Sequence, residues 1–255
     1  MRLINAEFLK LRKRRGLLWG SLFLIVGIPL IIFIILEILH LVNPAGHGPP
    51  GGFGAFGDWL EGIASGGAIA AVIIGGIAGT ADVSTGVFRD LVATGRSRRQ
   101  LFAARVPGMM MLLFPMITLG FLLILLINLG FAGSNSTPGA VDIVQGYGWV
   151  LLATGFEVVI AMGFASLIGS RAASIGVLLG WQLLASPILQ QVRALGSARQ
   201  ALYTSSLGRL NPVPTLGGPN ATTVTRSAAI AVMVLIVWVV VLLALGGWRT
   251  VTRDA

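Results

Sequence analysis

The sequence predicts an all-α integral membrane protein in which six transmembrane helices form a single transmembrane domain over residues 1–255, with both termini in the cytoplasm. Three observations predict this fold class. The composition suits lipid better than water, six apolar stretches are long enough to cross a bilayer, and basic residues are distributed unevenly among the segments that connect those stretches.

The composition is that of a membrane protein. Hydrophobic residues make up 55% of the chain and charged residues 11%, whereas an ordinary soluble domain is about 25% charged. A soluble chain of 255 residues could not bury so much apolar surface. The absence of Cys and the presence of only two His argue against disulfides and against a metal site. We therefore expect no metal and no cofactor in this chain.

Six apolar stretches predict the transmembrane helices. Each reaches the roughly 20 residues that a bilayer core requires, and each must be helical because lipid offers no partner to backbone polar groups. The first is uncharged from Gly16 to Leu36, which is too long for a signal-peptide core of about 7–15 residues. The predicted spans are about 17–41, 62–81, 106–132, 148–170, 172–190 and 227–248.

Basic residues predict the orientation. Fourteen of the 18 Lys and Arg fall in the N-terminal segment, in the turns after the second and fourth spans, and in the C-terminal tail. The positive-inside rule places these segments in the cytoplasm. The net charge of +9 is thereby explained without nucleic acid, which we do not expect as a partner. The remaining long outer loop, about 191–226, contains apolar residues and prolines that predict one or two short helices at the outer leaflet.

The N-terminal segment has the pattern of an amphipathic helix. Glu7, Lys10 and Arg12 alternate with apolar residues at near-helical spacing, which suits a helix on the inner leaflet with its cations near anionic headgroups. The alternative is a plain charge cluster that only fixes the topology. The apolar residues are Leu3, Ile4, Phe8 and Leu11.

The loop from Thr80 to Arg105 predicts a short cytoplasmic helix with one apolar face. Gly95 is placed to end this helix with a positive φ, and Ser97 is placed to cap the helix that continues into the third span. Such an apolar face must be covered either by a partner protein or by the headgroup region. Its apolar residues are Val87, Phe88, Leu91 and Val92, and the polar residues Arg89 and Asp90 face away.

This loop resembles the segment between the second and third spans of type-2 permease subunits of ATP-binding-cassette transporters. The six-span architecture, the basic opening segment and the long last outer loop are similar to that family as well. Asp82 and Val87 depart from the Glu and Thr that are common there. The residues that carry the resemblance are Asp82, Gly86, Arg89, Leu91, Gly95, Arg98, Leu101 and Arg105.

The resemblance implies a function. In that family the loop is a coupling helix that docks on a separate ATPase subunit, which binds ATP and Mg²⁺. It implies a second permease copy, a homodimer being expected, and export through a bacterial inner or plasma membrane. Independently, Lys10 and Lys13 are the only lysines and neither follows Gly, so this chain holds no P-loop and is not itself the enzyme. The implied docking residues are Val87, Phe88, Arg89, Asp90 and Leu91.

Glu157 is a candidate functional residue inside the fourth span. A charged side chain at the bilayer centre costs about 2.5–3.5 kcal/mol, and small residues at four-residue steps from Glu157 predict that it lies in a close helix contact. It is either a proton relay or substrate contact, or a structural carboxyl bonded to a neighbouring helix. The small residues are Ala153, Ala161 and Ala165, with similar stripes at Gly67, Ala71, Gly75 and Gly79 in the second span and Gly176 and Gly180 in the fifth.

Two further readings compete with the permease hypothesis. Glu157 could serve a proton-coupled secondary transporter. An intramembrane protease is disfavoured, because no His-Glu-x-x-His motif exists and His40 and His47 fall toward the outer side. Trp181 and Trp238, both near mid-span, either line a lipid-like substrate surface or fill helix contacts.

Overall fold

The structure is a computed structural model that describes residues 2–84, 95, 97–213 and 227–252, with the side chains of residues 2 and 82–84 left out. All regular secondary structure within the described residues is helical. Six helices are long and apolar enough to cross a membrane, which supports a multi-pass membrane protein. These are α2 (Arg15–Val42), α3 (Phe53–Ser84), α4 (Arg98–Gly130), α5 (Ala140–Ile168), α6 (Arg171–Gln191) and α8 (Ala228–Thr252).

Shorter helices complete the described chain. The N-terminal helix α1 (Arg2–Arg12) precedes the first long helix. Between α6 and α8 lie a 3₁₀ segment (Arg193–Ala201) and the helix α7 (Tyr203–Arg209), so the segment predicted to contain one or two short helices does contain them.

The helix α3 begins well before the predicted residue 62. The preceding glycines and prolines are held by contacts that the local sequence does not reveal. Trp59 Nε1 donates to the carbonyl oxygen of Pro50 at 2.9 Å, Asn128 Nδ2 donates to the carbonyl oxygen of Gly52 at 3.1 Å, and the backbone N–H of Phe53 donates to Ser136. These bonds supply part of the hydrogen bonding that the backbone at the start of a helix cannot find within the helix itself.

The helices α3 and α5 share the most extensive contact between described helices of the bundle. A Cβ atom on Gly75 would lie 2.7 Å from the carbonyl oxygen of Val158 and 2.7 Å from Ala161 Cβ, and a Cβ on Gly67 would lie 2.6 Å from Thr154 Cγ2. The close approach predicted from the small-residue stripes of the second and fourth spans is therefore confirmed. Small residues allow such contact because they place no large side chain between the two backbones.

The glycines of α6 differ from this prediction. Gly176 and Gly180 have nothing within 4 Å of an added Cβ, so these two glycines of the fifth span make no close helix contact within the described chain. Gly163 on α5 instead packs closely on Gly246 of α8, a pair that the stripes did not reveal because neither glycine has a Gly or Ala four residues away in its own helix.

One end of the bundle gathers the basic segments. The buried Arg105 of α4 donates from Nη1 to the carbonyl oxygen of Gly79 at 3.4 Å, and Ser166 Oγ of α5 donates to the same oxygen at 3.3 Å. Arg98 Nη1 donates to the carbonyl oxygen of Val251 near the end of α8 at 2.8 Å. Helices α3, α4, α5 and α8 thus meet at this basic end.

The helix α1 also lies at the basic end, packed against α4. A Cβ on Gly108 would lie 2.7 Å from Glu7 Cβ, and Glu7 accepts a 2.8 Å ion pair from Lys10. The guanidinium of Arg12 lies 5.9 Å from the centre of the Phe8 ring. The predicted helix is therefore present, with its Glu7 side buried on the protein.

Two long helices contain a π-helical turn. The turns Phe23–Gly27 in α2 and Trp181–Ala185 in α6 each end two residues before a proline, Pro29 and Pro187 respectively. A proline removes one backbone donor and its ring crowds the carbonyl of the preceding turn. The wider turn accommodates both effects within a continuous helix.

Candidate functional site

A cavity of about 160 Å³ lies among α3, α5, α6 and α7. Its wall is apolar in part, with Ala64, Ala68, Leu183 and Leu207 among the lining residues. Polar side chains from all four helices also reach it. They are Ser65 of α3, Glu157 of α5, Gln182, Ser186 and Gln190 of α6, and Thr204 of α7.

Glu157 is the only acidic residue among the described residues that line this cavity. It is 2% exposed and lies on the stretch of α5 that packs against α3, as a residue in a helix contact would. Ala153, one helical turn before Glu157, lines the same cavity, and its small side chain leaves space there. Its Oε2 atom has no hydrogen-bond partner among the described residues.

Tyr203 of α7 is the partner of the Glu157 carboxyl. The phenol and the carboxyl interact through their side chains. Burial raises the pKa of Tyr203 well above its usual value, and the neighbouring carboxyl of Glu157 raises this pKa further. The phenol therefore remains protonated at neutral pH and acts as a donor to Glu157.

Aromatic contacts hold Tyr203 in place. Its ring centre lies 5.4 Å from that of Phe156 on α5 and 5.6 Å from that of Trp238 on α8. Trp238 Nε1 also donates to the carbonyl oxygen of Ala201 at 2.9 Å. Of the two roles predicted for Trp238, filling a helix contact is the one that these interactions match.

A polar stripe on α6 faces the cavity. Gln182, Ser186 and Gln190 follow one another at steps of four residues, a signal that was present in the sequence and that sequence reasoning missed. The hydroxyls of Ser186 and Thr204 share a hydrogen bond, and Gln190 Nε2 lies 3.4 Å from both of these oxygens. Gln182 Oε1 has no hydrogen-bond partner among the described residues.

Trp149 closes the cavity on the α5 side. Its Nε1 atom donates to the carbonyl oxygen of Leu207 at 2.9 Å, which ties α7 to α5. Trp181, in contrast, does not line the cavity. It is partly buried against the apolar core, and its Nε1 atom has no partner among the described residues.

The predicted docking residues Val87, Phe88, Arg89, Asp90 and Leu91 lie outside the described residues. The flanking predictions do fall on described positions. Gly95 has a φ of +79°, as expected of a residue placed to end a helix, and Ser97 Oγ accepts from the backbone N–H of Gln100 at 3.2 Å at the start of α4. The positive φ of Gly95 and the cap at Ser97 are confirmed, whereas the helix that Gly95 is predicted to end lies outside the described residues.

The chemistry of the cavity is that of an acceptor-rich site with apolar walls. In the part of the chain that the structure describes, no group of three or more His, Asp or Glu is placed to hold a metal ion. Two oxygens without partners, Glu157 Oε2 and Gln182 Oε1, are suited instead to a ligand that brings hydrogen-bond donors.

Comparisons with protein-family models, with curated proteins and with solved structures find no match to this chain.

Proposed function

We propose that the chain is the membrane-spanning permease subunit of an ATP-binding-cassette exporter, working as a homodimer with two separate ATPase subunits. The ATPases bind ATP and Mg²⁺, and this chain carries the substrate path. The observation that carries the proposal is the loop between α3 and α4, whose residues resemble the coupling helix of type-2 permeases. The six long helices and the helical segment between α6 and α8 support the same assignment.

The anchoring of this loop is suited to transmitting movement. At its start, Gly79 of α3 accepts hydrogen bonds from Arg105 of α4 and Ser166 of α5. At its end, Arg98 is bonded to Val251 of α8. A displacement of the loop by ATPase closure would therefore be passed to four long helices together, including the tightly packed pair α3 and α5 that walls the cavity.

The orientation in the proposal rests on charge. The basic end holds α1 and the flanks of the loop, and cytoplasmic placement follows from the positive-inside rule. An ATPase could reach the loop only from this side. Labelling of a single Cys at Arg96 in intact cells checks the placement, because the chain has no native Cys. Reaction with a membrane-impermeant reagent from outside would contradict it.

The direct test is association with an ATPase. We expect a P-loop ATPase to be encoded beside this chain; it is co-expressed with the chain, and the complex is extracted in a mild detergent. We expect co-purification, and we expect Phe88→Asp to abolish it by placing a charge on the apolar docking face. Leu41→Asp is the matched control. Leu41 is 69% exposed and lies near the C-terminal end of α2, away from the basic end of the bundle. Failure of the unaltered chain to bind would contradict the proposal.

One observation favours a second candidate function. Glu157 is buried, lines a cavity and has an oxygen without a partner, which are properties of a proton-carrying carboxyl in a secondary transporter. The two functions differ in their energy source. In the secondary transporter Glu157→Gln abolishes transport whereas loss of the ATPase has no effect, and in the exporter loss of the ATPase abolishes transport.

A further inference from the structure

The cavity offers a ligand more acceptors than donors. Glu157 Oε2 and Gln182 Oε1 are without hydrogen-bond partners, and there is no Lys or Arg among the described residues that line the cavity. Tyr203 donates to the Glu157 carboxyl, but no opposite charge faces it from the described lining residues, and a buried carboxylate without an opposite charge is costly. The missing component is therefore a cationic donor.

The remaining wall is suited to an apolar body beside the cation. Ala64, Ala68 and Leu183 provide hydrocarbon. Trp149 also lines the cavity, and because its N–H is already bonded to Leu207, its ring offers a ligand only its π system. Aromatic rings attract cations that lie within about 6 Å of the ring centre.

We infer that this cavity binds the protonated amino group of a small amphiphilic amine, which donates hydrogen bonds to Glu157 and Gln182 while its apolar part contacts the alanines, Leu183 and Trp149. A volume of about 160 Å³ is below the roughly 300–1,000 Å³ of typical drug sites. The site therefore accepts the head and a short body of the ligand. That such an amine is also the exported substrate rests on the proposed function, whereas its binding does not.

Binding is measured by titration calorimetry on the purified chain in detergent, without any ATPase. The probe is 2-phenylethylammonium, and 2-phenylethanol is the neutral compound of the same shape. Heats of dilution into protein-free micelles are subtracted. We expect one amine bound per chain and at least tenfold weaker binding of the alcohol, because the charged donor is worth more than the neutral one beside a carboxylate.

Variants test which residues make the contact. Glu157→Gln should lower the affinity for the amine about 10-fold to 100-fold, the usual worth of a hydrogen bond to a charged group. Glu37→Gln makes the same chemical change in α2, away from the cavity, and should leave the affinity unchanged. Gln182→Met should weaken binding several-fold. It provides an independent test if Glu157→Gln fails to give a monodisperse protein.

Several results would overturn the inference. Equal binding of the amine and the alcohol would show that the charge does not contribute to binding. An unchanged affinity in Glu157→Gln or in Gln182→Met would show that the ligand does not contact that residue. Equal binding of trimethyl-2-phenylethylammonium, which has no N–H donor, would remove the hydrogen bonds. Full competition by NaCl at concentrations where choline chloride has no effect would assign the cavity to a metal cation.

The outcomes separate this inference from the proposed function. Amine binding by a chain that recruits no ATPase would support the site and contradict the exporter. An ATPase complex whose permease binds neither probe would leave the exporter standing and contradict the site.

Discussion

The indole Nε1 of Trp149 donates a 2.9 Å hydrogen bond to the carbonyl oxygen of Leu207, and this contact joins α5 to a helix that is not itself a span. Both residues are buried. The bond helps to hold the short helix α7 in place, with Thr204 at the cavity and Tyr203 beside Glu157.

Replacement of Trp149 tests the role of this bond. Trp149→Phe keeps an aromatic ring but leaves the Leu207 carbonyl with only the backbone N–H of Leu210 as a donor, and the loss of one hydrogen bond of this kind costs about 0.5–1.5 kcal/mol. We expect faster amide hydrogen exchange in Tyr203–Arg209 and a lower unfolding temperature. Trp19→Phe is the control, because Trp19 is 71% exposed. Equal exchange in the two variants would show that α7 is held by other contacts.

The contact between α3 and α5 predicts an asymmetric response of glycines. Gly75→Ala places a methyl group 2.7 Å from the backbone oxygen of Val158, and overpacking of this kind costs about 1–3 kcal/mol. Gly176→Ala adds the same methyl group to α6 in open space. Thermal unfolding in detergent should show destabilisation for Gly75→Ala alone. Similar unfolding temperatures for the two variants would contradict close packing of α3 against α5 at Gly75.

Tyr203 predicts a loss of stability at alkaline pH. Its pKa is raised by burial and by the neighbouring Glu157 carboxyl, so above pH 10 the folded chain holds a proton that the unfolded chain has released. Stability that is fully present below the ordinary tyrosine pKa is then lost as pH rises toward the folded pKa. Unfolding temperatures at pH 8 and pH 11 measure this loss.

Two variants separate Tyr203 from other alkaline effects. Tyr203→Phe should show a smaller decrease in unfolding temperature between the two pH values than the unaltered chain. Tyr147→Phe should keep the full decrease. The Tyr147 hydroxyl is half-buried and shares a 2.7 Å hydrogen bond with Thr118, away from Glu157. A decrease of the same size in all three proteins would contradict the assignment to Tyr203.

The link between Arg98 and Val251 predicts a defect in coupling. If the loop drives export, Arg98→Met should reduce the amount of substrate moved per ATP hydrolysed while the ATPase still binds, because α8 no longer follows the loop. The neighbouring Arg99 is exposed and provides the control as Arg99→Met. Reconstituted vesicles give both rates. An unchanged ratio in Arg98→Met would place the transmission elsewhere.

The sequence predicted the parts of the fold that follow from local chemistry. Lipid requires long apolar helices, so the six spans could be predicted, and so could the glycine stripe around Gly75 and the cap at Ser97. The start of α3 at Phe53 could not be predicted, because it depends on Asn128 and Ser136, which are distant in the chain.

The candidate site was only partly predictable. Glu157 was identified because an acidic residue inside a span is conspicuous. Its partner Tyr203 comes from a segment between spans, and nothing near Tyr203 in the sequence indicates which helix it will contact. The four-residue spacing of Gln182, Ser186 and Gln190 was visible in the sequence. Uncharged polar residues in an apolar helix are a weaker signal of a functional site than an acid, because a charge costs more to bury.

The π-helical turn Trp181–Ala185 has a consequence for the angular order of side chains along α6. A π turn uses one more residue per turn than an α turn does, and one residue corresponds to about 100° of rotation around an α-helix. Deleting a single residue within this turn would swing Ser186 and Gln190 away from Thr204. The hydrogen bond between the hydroxyls of Ser186 and Thr204 therefore depends on the extra residue of the π turn as well as on these two residues.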